Sequence, residues 1–181
     1  PRVSRSGSLN MIDENPKVEF NPDVTIVRIA TSDDICVLRE LYEKSKLEGQ
    51  LRVNDTGADL DHLIDAYFEC NDSGFWVAEN ESSIIGMVGV QRISDNSAGI
   101  RRLRVRDGFR RRGIGALLME HAITFCRDKQ FLKIVLDVRI ERSPAINMFD
   151  KFGFSHGRER DMNGRKLLDF YLDLYSDTSD T

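Results

Sequence analysis

The chain has 181 residues with a net charge of −4 and an apolar share of 40 %, which rises close to the norm for soluble globular proteins once glycine is added. That length suits one domain with a core of ordinary size and leaves no room for two full ones. No apolar run approaches the roughly 20 residues a helix needs to cross a bilayer, and Cys36, Cys70 and Cys126 are too few, too scattered and odd in number for a disulfide framework or a cysteine metal site.

In chain order, residues 1–22 mix Ser, Asn, Pro and charge and read as a poorly ordered arm. Pro1–Ser8 has no apolar core, so no secretory signal is expected there. Val24–Ala30 is a first strand, and Thr31 opens a helix whose face is Ile35, Leu38, Leu41, Tyr42 and Ser45. Leu60, Leu63, Ile64, Tyr67 and Phe68 mark a second helix. The period then changes. Phe75–Glu79, Ile84–Ile93 and Ala98–Arg106 read as an antiparallel meander. A glycine-rich turn at Gly113–Gly115 leads into a helix with Ile114, Leu117, Leu118, Ala122 and Phe125 on one face. Leu132–Val138 is a buried strand expected to run parallel to the one before that helix. Pro144 starts a last helix carrying Ala145, Ile146, Met148, Phe149 and Phe152. Asn163-Gly164 turns a hairpin between Phe154–Met162 and Lys166–Leu174, and 176–181 is an acidic tail. The reading is therefore an α/β domain over 23–175, with a mixed sheet of about seven strands flanked by about four helices. Cys36 and Cys126 fall in helical apolar patterns, so buried reduced thiols are expected, and with them a reducing compartment, cytosol or nucleus.

Charge is concentrated. Arg101–Arg112 holds seven Arg and one Asp, a local balance of +6 that leaves −10 for the rest of the chain. A single basic site on an acidic chain points to a local polyanion rather than to a nucleic-acid surface, which would spread its charge over a face. Within that stretch, Arg110-Arg111-Arg112-Gly113-Ile114-Gly115-Ala116 follows a strand and opens a helix. The first turn of a helix presents unpaired N–H groups and partial positive charge, and glycine lets a bulky anion come close to the backbone. The chemistry points to a diphosphate. A P-loop would need Lys-Ser or Lys-Thr after its last glycine, and a dinucleotide fingerprint a third glycine where Leu118 stands. The bland alternative is a helix N-terminus with solvated arginines and glycines chosen for packing.

Leu103–Ala116 and then Ala145–Phe154 resemble the GCN5-related N-acetyltransferases. The family's first signature is Gln or Arg, two residues, Gly, one residue, then Gly or Ala, and Arg110, Gly113 and Gly115 match it. Its second runs Ala-Ile, Leu-Tyr, Gly-Phe, and Ala145, Ile146, Gly153 and Phe154 match. The resemblance implies that acetyl-CoA is the cosubstrate and that no metal is needed. It assigns the pantetheine arm to the backbone of Leu103, Arg104 and Val105. The diphosphate falls to the backbone amides of Arg111, Arg112, Gly113, Ile114, Gly115 and Ala116, just after Arg110, and the extra arginines are within reach of the 3′-phosphate, with further cofactor contacts at Arg142 and Phe149.

N-acylation needs a neutral amine, and freeing one of pKa near 10.4 at pH 7 costs about 4–5 kcal/mol. Asp137, near the end of its strand, is the base candidate. Ribosomal-protein alanine acetyltransferases carry Glu at the matching place, and Asp is one methylene shorter, so a bridging water is expected. The alternative is a structural carboxylate paired with Arg139 or Arg142. Phe149 departs from the usual Tyr and so lacks the hydroxyl that would protonate the leaving thiolate; Tyr171 is another donor to consider. Arg142 replaces the usual Asn, and Gly99 stands where histone-type members carry Glu. His62, His121 and His156 are assigned satisfied or solvated roles. Glu48, Asp55, Asp59, Asp61 and Asp65 are either solvated or a lure for a cationic acceptor.

The expected function is acetyl transfer to a primary amine of a small molecule or peptide by direct attack in a ternary complex. A monomer or homodimer is expected, with no nucleic-acid or membrane partner. A catalytically weak acyl-CoA-binding sensor and an arginine-driven nucleic-acid binder are the alternatives from other classes.

Overall fold

The computed structural model of the chain describes residues 21–44, 55–139, 143–162 and 164–175. Of the expected arm over 1–22, residues 1–20 lie outside the described residues, as do Ser45, Glu48, Arg142, Asn163 and the tail over 176–181. A short 3₁₀ turn, Pro22–Val24, leads into β1 (Thr25–Ile29). A second, Ser32–Asp34, leads into α1 (Ile35–Lys44). Then follow α2 (Ala58–Asp61), α3 (Leu63–Tyr67), β2 (Gly74–Asn80), β3 (Ser83–Arg92), β4 (Ser97–Val105), α4 (Ile114–Asp128), β5 (Lys133–Arg139), α5 (Ser143–Lys151), β6 (Ser155–Met162) and β7 (Arg165–Asp173).

The strands form one mixed sheet in the order β1-β2-β3-β4-β5-β7-β6. All neighbours are antiparallel except β4 and β5, which α4 joins as a parallel crossover. The expected βαβ unit is therefore present, as is the C-terminal hairpin. Met162 pairs with Arg165 across a two-residue turn in which Gly164 takes φ +77°, a conformation that favours glycine.

Strand alternation splits the core in two. On one face α4 and α5 cover Trp76, Val88, Val90, Ala98, Ile100, Ile134, Leu136 and Phe170. On the other, α1 to α3 cover Phe75, Val77 and Met87. Arg28 ties β1 to the start of the helical region, holding Asp34 at 2.8 Å and Glu79 at 2.7 Å.

Three expectations need correction. The second helix is broken at His62 (φ −115°, ψ 47°), so Leu60, Leu63 and Tyr67 stay buried while Ile64 turns out to solvent. The buried arc of α4 is centred on Met119, Ala122, Ile123 and Cys126, which leaves Leu117 on its exposed margin. Of the three cysteines only Cys126 is buried. Cys36 and Cys70 are exposed, because an apolar neighbourhood in sequence does not decide which side of a helix or loop faces the sheet.

Candidate active site

The site begins where two strands part. β4 and β5 pair over Ser97–Lys133, Ala98–Ile134 and Gly99–Val135 only, although β4 continues to Val105 and β5 to Arg139. From Ile100 onward the β5-facing edge of β4 has no strand beside it among the described residues. A bulge aids the departure. Gly89 pairs with Arg101 and Met87 with Arg104, so three steps along β4 match two along β3. Arg102, inside the bulge, takes φ +58°, rare for a side chain of that size.

Two carboxylates hold that conformation. The Arg102 guanidinium donates to Asp55 at 2.7 and 2.8 Å and to Asp59 at 2.6 and 2.9 Å. It also lies over the Tyr42 ring, 5.1 Å from its centroid, and the Tyr67 hydroxyl donates to Asp59 at 2.6 Å. Burial works against the charges of Arg102 and Asp59, but their mutual hydrogen bonds outweigh it, raising the pKa of the one and lowering that of the other. Asp61 faces Arg39 at 3.3 Å. Asp55, Asp59 and Asp61 are thus engaged by the protein's own arginines, while Asp65 is exposed.

Beyond β4 the chain turns into α4. Gly113 is the N-cap of that 15-residue helix, at φ +82°, and Arg111 is also left-handed at φ +62°. A Cβ added at Gly113 would meet nothing within 4 Å, so open space lies before the first helical turn. At Gly115 a Cβ would come 3.4 Å from Met148 Sδ and 3.8 Å from Val105 Cγ2, ordinary contact distances, so α4 lies close against α5 and β4 at this point. Arg110, Arg111 and Arg112 are exposed around the loop. Arg110 pairs with Asp107 at 2.9 Å, and Arg112 lies over the Phe109 ring. The first-turn N–H groups, the helix dipole and three cations suit a diphosphate. The seven arginines are not one cluster, however. Arg102 is locked away, Arg106 pairs with Glu40 at 3.2 Å, and Arg104 donates to Leu103 O at 2.8 Å.

On the face away from α4, a cavity of about 460 Å³ opens beside the last β4–β5 pairs. Gly99 and Arg101 of β4, Lys133 and Val135 of β5, Gly157, Arg158 and Arg160 of β6, and Asp169 and Tyr171 of β7 contribute to its lining. β6 bulges here, with three steps from His156 to Glu159 opposite two from Phe170 to Leu168. The backbone of Asp137 lies in β5 opposite Asp169, two residues beyond Val135. Phe149 is 4 % exposed, packed against Phe154 and Phe170 with ring centroids 5.8 and 5.4 Å away. Its ring belongs to the core. Sequence reasoning missed the Arg102 lock and the cavity's basic lining. Alternation along β4 and β5 was the available signal for Arg101 and Lys133, but the bulge at Arg102 interrupts the count in β4.

The histidines stand apart from this centre. His156 Nε2 lies 2.7 Å from Asp150 Oδ1, and His121 packs edge-on to Trp76, where burial lowers its pKa. Among the described residues no three His, Cys, Asp or Glu side chains gather as metal ligands would.

The profile of the acetyltransferase (GNAT) family matches residues 38–154. The chain belongs to this family. Among its relatives, human N-acetyltransferase 8 is 30 % identical over 101 residues, which is 53 % of this chain and 44 % of that one. N-acetyltransferase 8 of Rattus norvegicus is 29 % identical over 121 residues, 64 % and 53 % of the two chains. The chain thus spans about half the length of the curated relatives it matches. In fold, this GNAT domain resembles yncA of Salmonella typhimurium, described as a putative acetyltransferase with its cofactor acetyl-CoA. The TM-score is 0.72 at 18 % identity, covering 86 % of this chain and 97 % of that one. Among the described residues, no helix of the GNAT domain is long and apolar enough to cross a membrane.

Proposed function

We propose that this domain transfers an acetyl group from acetyl-CoA to a primary amine by direct attack in a ternary complex. The observation that carries the reading is the β4 edge freed beyond Gly99, followed directly by the glycine-capped N-terminus of α4. In this reading the backbone of Leu103, Arg104 and Val105 binds the pantetheine arm as a neighbouring strand would. The loop from Arg110 to Ala116 holds the diphosphate, and Arg142 supplies a further cofactor contact. A β4 amide stabilises the charge that develops on the thioester oxygen. The amine enters from the cavity on the opposite face. Asp137 accepts its proton through a water, since two residues earlier β5 lines that cavity.

A second reading, an acyl-CoA-binding sensor of weak activity, draws on Phe149, whose ring brings no hydroxyl to the thiolate. Thiol release from acetyl-CoA across a panel of amines separates the two. Acetyl transfer is expected, and Asp137→Asn is expected to lower kcat about 100-fold, the scale of a lost general base, with the acetyl-CoA KM unchanged. Tight acetyl-CoA binding without turnover of any amine would favour the sensor.

A further inference from the structure

The cavity on the open face of the sheet is cationic. Arg101, Lys133, Arg158 and Arg160 line it against one described carboxylate, Asp169, and Arg160 already engages that carboxylate at 2.6 and 3.0 Å. The Lys133 ammonium sits over the Tyr171 ring, 4.7 Å from its centroid. Among the described residues no carboxylate pairs with Arg101 or Arg158.

We propose that the acceptor is itself anionic: a primary amine that also bears a carboxylate, held in this cavity by Arg101 and Arg158. This rests on the acetyl-transfer reading and names its substrate class. Guanidinium groups match a carboxylate with paired N–H donors, where an ammonium offers only a point charge. A polyamine would bring like charge to the same walls, which disfavours binding. Asp55 and Asp59, two of the acidic residues that would have suited such a cation, are tied up by Arg102. Two glycines keep the cavity open. A Cβ at Gly99 would come 2.8 Å from Ile93 Cδ1, and one at Gly157 would come 3.2 Å from Asp169 O. The volume lies within the usual range of ligand sites, about 300–1,000 Å³. The basic walls also serve the chemistry. Cations near the bound amine disfavour its ammonium form, so the arginines that hold the carboxylate lower the demand on any base.

The test uses the full chain, acetyl-CoA and matched acceptors. These are α-amino acids against their α-carboxamides, and peptide amides beginning with Asp or Glu against the same peptides beginning with Asn or Gln. Spermidine is the cationic control. The acids are expected to exceed their amides in kcat/KM by about ten- to hundredfold, the worth of one or two charge-assisted hydrogen bonds. The first pair reads a free amino acid and the second a peptide N-terminus. Arg101→Gln and Arg158→Gln are each expected to raise the KM for the acid and collapse the acid-to-amide ratio, while the acetyl-CoA-induced rise in Tm persists. Turnover that favours amides or spermidine, or a ratio untouched by both variants, overturns the proposal and leaves acetyl transfer standing. Calorimetry with the N-acetylated acids and their amides, in the presence of CoA, reads the cavity without turnover. Binding of the acids that both variants abolish, in a protein that acetylates nothing, upholds carboxylate recognition and overturns acetyl transfer. Neither binding nor turnover overturns both.

Discussion

Arg102 grips Asp59 with two nitrogens, Nε at 2.9 Å and Nη2 at 2.6 Å, across 43 residues of chain. The contact fastens the bulge of β4 to α2, and both side chains are mostly buried. Removing the Asp59 charge leaves the mostly buried Arg102 with Asp55 as its remaining counter-ion. Asp59→Asn is therefore expected to destabilise the fold by about 2 kcal/mol at pH 7, read as a lower urea midpoint. The pH dependence follows from direction. Asp59 has its pKa lowered in the fold by Arg102 and Tyr67 against the effect of burial, and Asp34 by hydrogen bonds from Arg28. A depressed carboxyl contributes stability above its unfolded pKa, about 3.9, and loses it as pH falls through the folded value. The wild-type Tm should fall steeply below about pH 4, and Asp59→Asn should flatten that slope. An unchanged slope would mean that the pair is not coupled to folding.

Gly113 makes a second prediction. At φ +82° a side chain is strained, so Gly113→Ala should cost about 1 kcal/mol of stability. Acetyl-CoA at about 100 times its Kd should stabilise the wild type by about 2.7 kcal/mol. Gly113→Asp, which sets a negative charge in the open space before α4, should erase that shift. A full shift in the Asp variant would move the diphosphate elsewhere.

Phe149 makes a third. The family resemblance placed this ring beside the CoA sulfur, where a hydroxyl would help the leaving thiolate. In the fold it is closed in by Phe154 and Phe170. Phe149→Tyr should bury a hydroxyl without a prepared partner, lowering stability by about 1–3 kcal/mol. Equilibrium unfolding checks this, and unaltered stability with faster turnover would put the ring at the reacting centre.

The thiols make a fourth. Burial pushes the Cys126 thiol up to about 12, while Cys36 and Cys70 are exposed. At pH 8 two thiols should be alkylated in the native protein and the third only after denaturation. Three fast thiols would show that α4 opens readily.

Much of this architecture was legible in the chain. Alternation marked β2, β3 and β4, Asn163-Gly164 marked the hairpin, and the glycine-rich turn marked the start of α4. These are local signals, a period or a turn within a few residues. The losses are of two kinds. Bulges at Arg102 and near Gly157 change the face of every residue after them, and no residue type announces them. Long-range partners are the other kind: that Asp55 and Asp59 serve Arg102, and that Phe149 meets Phe170, depends on how distant segments dock. The break at His62 belongs with them, because Leu60 and Leu63 meet the sheet at the expense of helical continuity.

The early parting of β4 and β5 has one further consequence. It leaves an unpaired strand edge in the middle of a sheet, with the hydrogen-bonding groups that in other proteins invite a foreign strand and lead to aggregation. Here the edge lies in a gap within the sheet, closed at one end by the three β4–β5 residue pairs. Arg101 stands exposed at the start of that stretch, and positive charge on an edge is a common guard against strand addition. A recessed edge of this kind would admit one narrow extended ligand, as the acetyl-transfer reading requires, and turn away other copies of the protein.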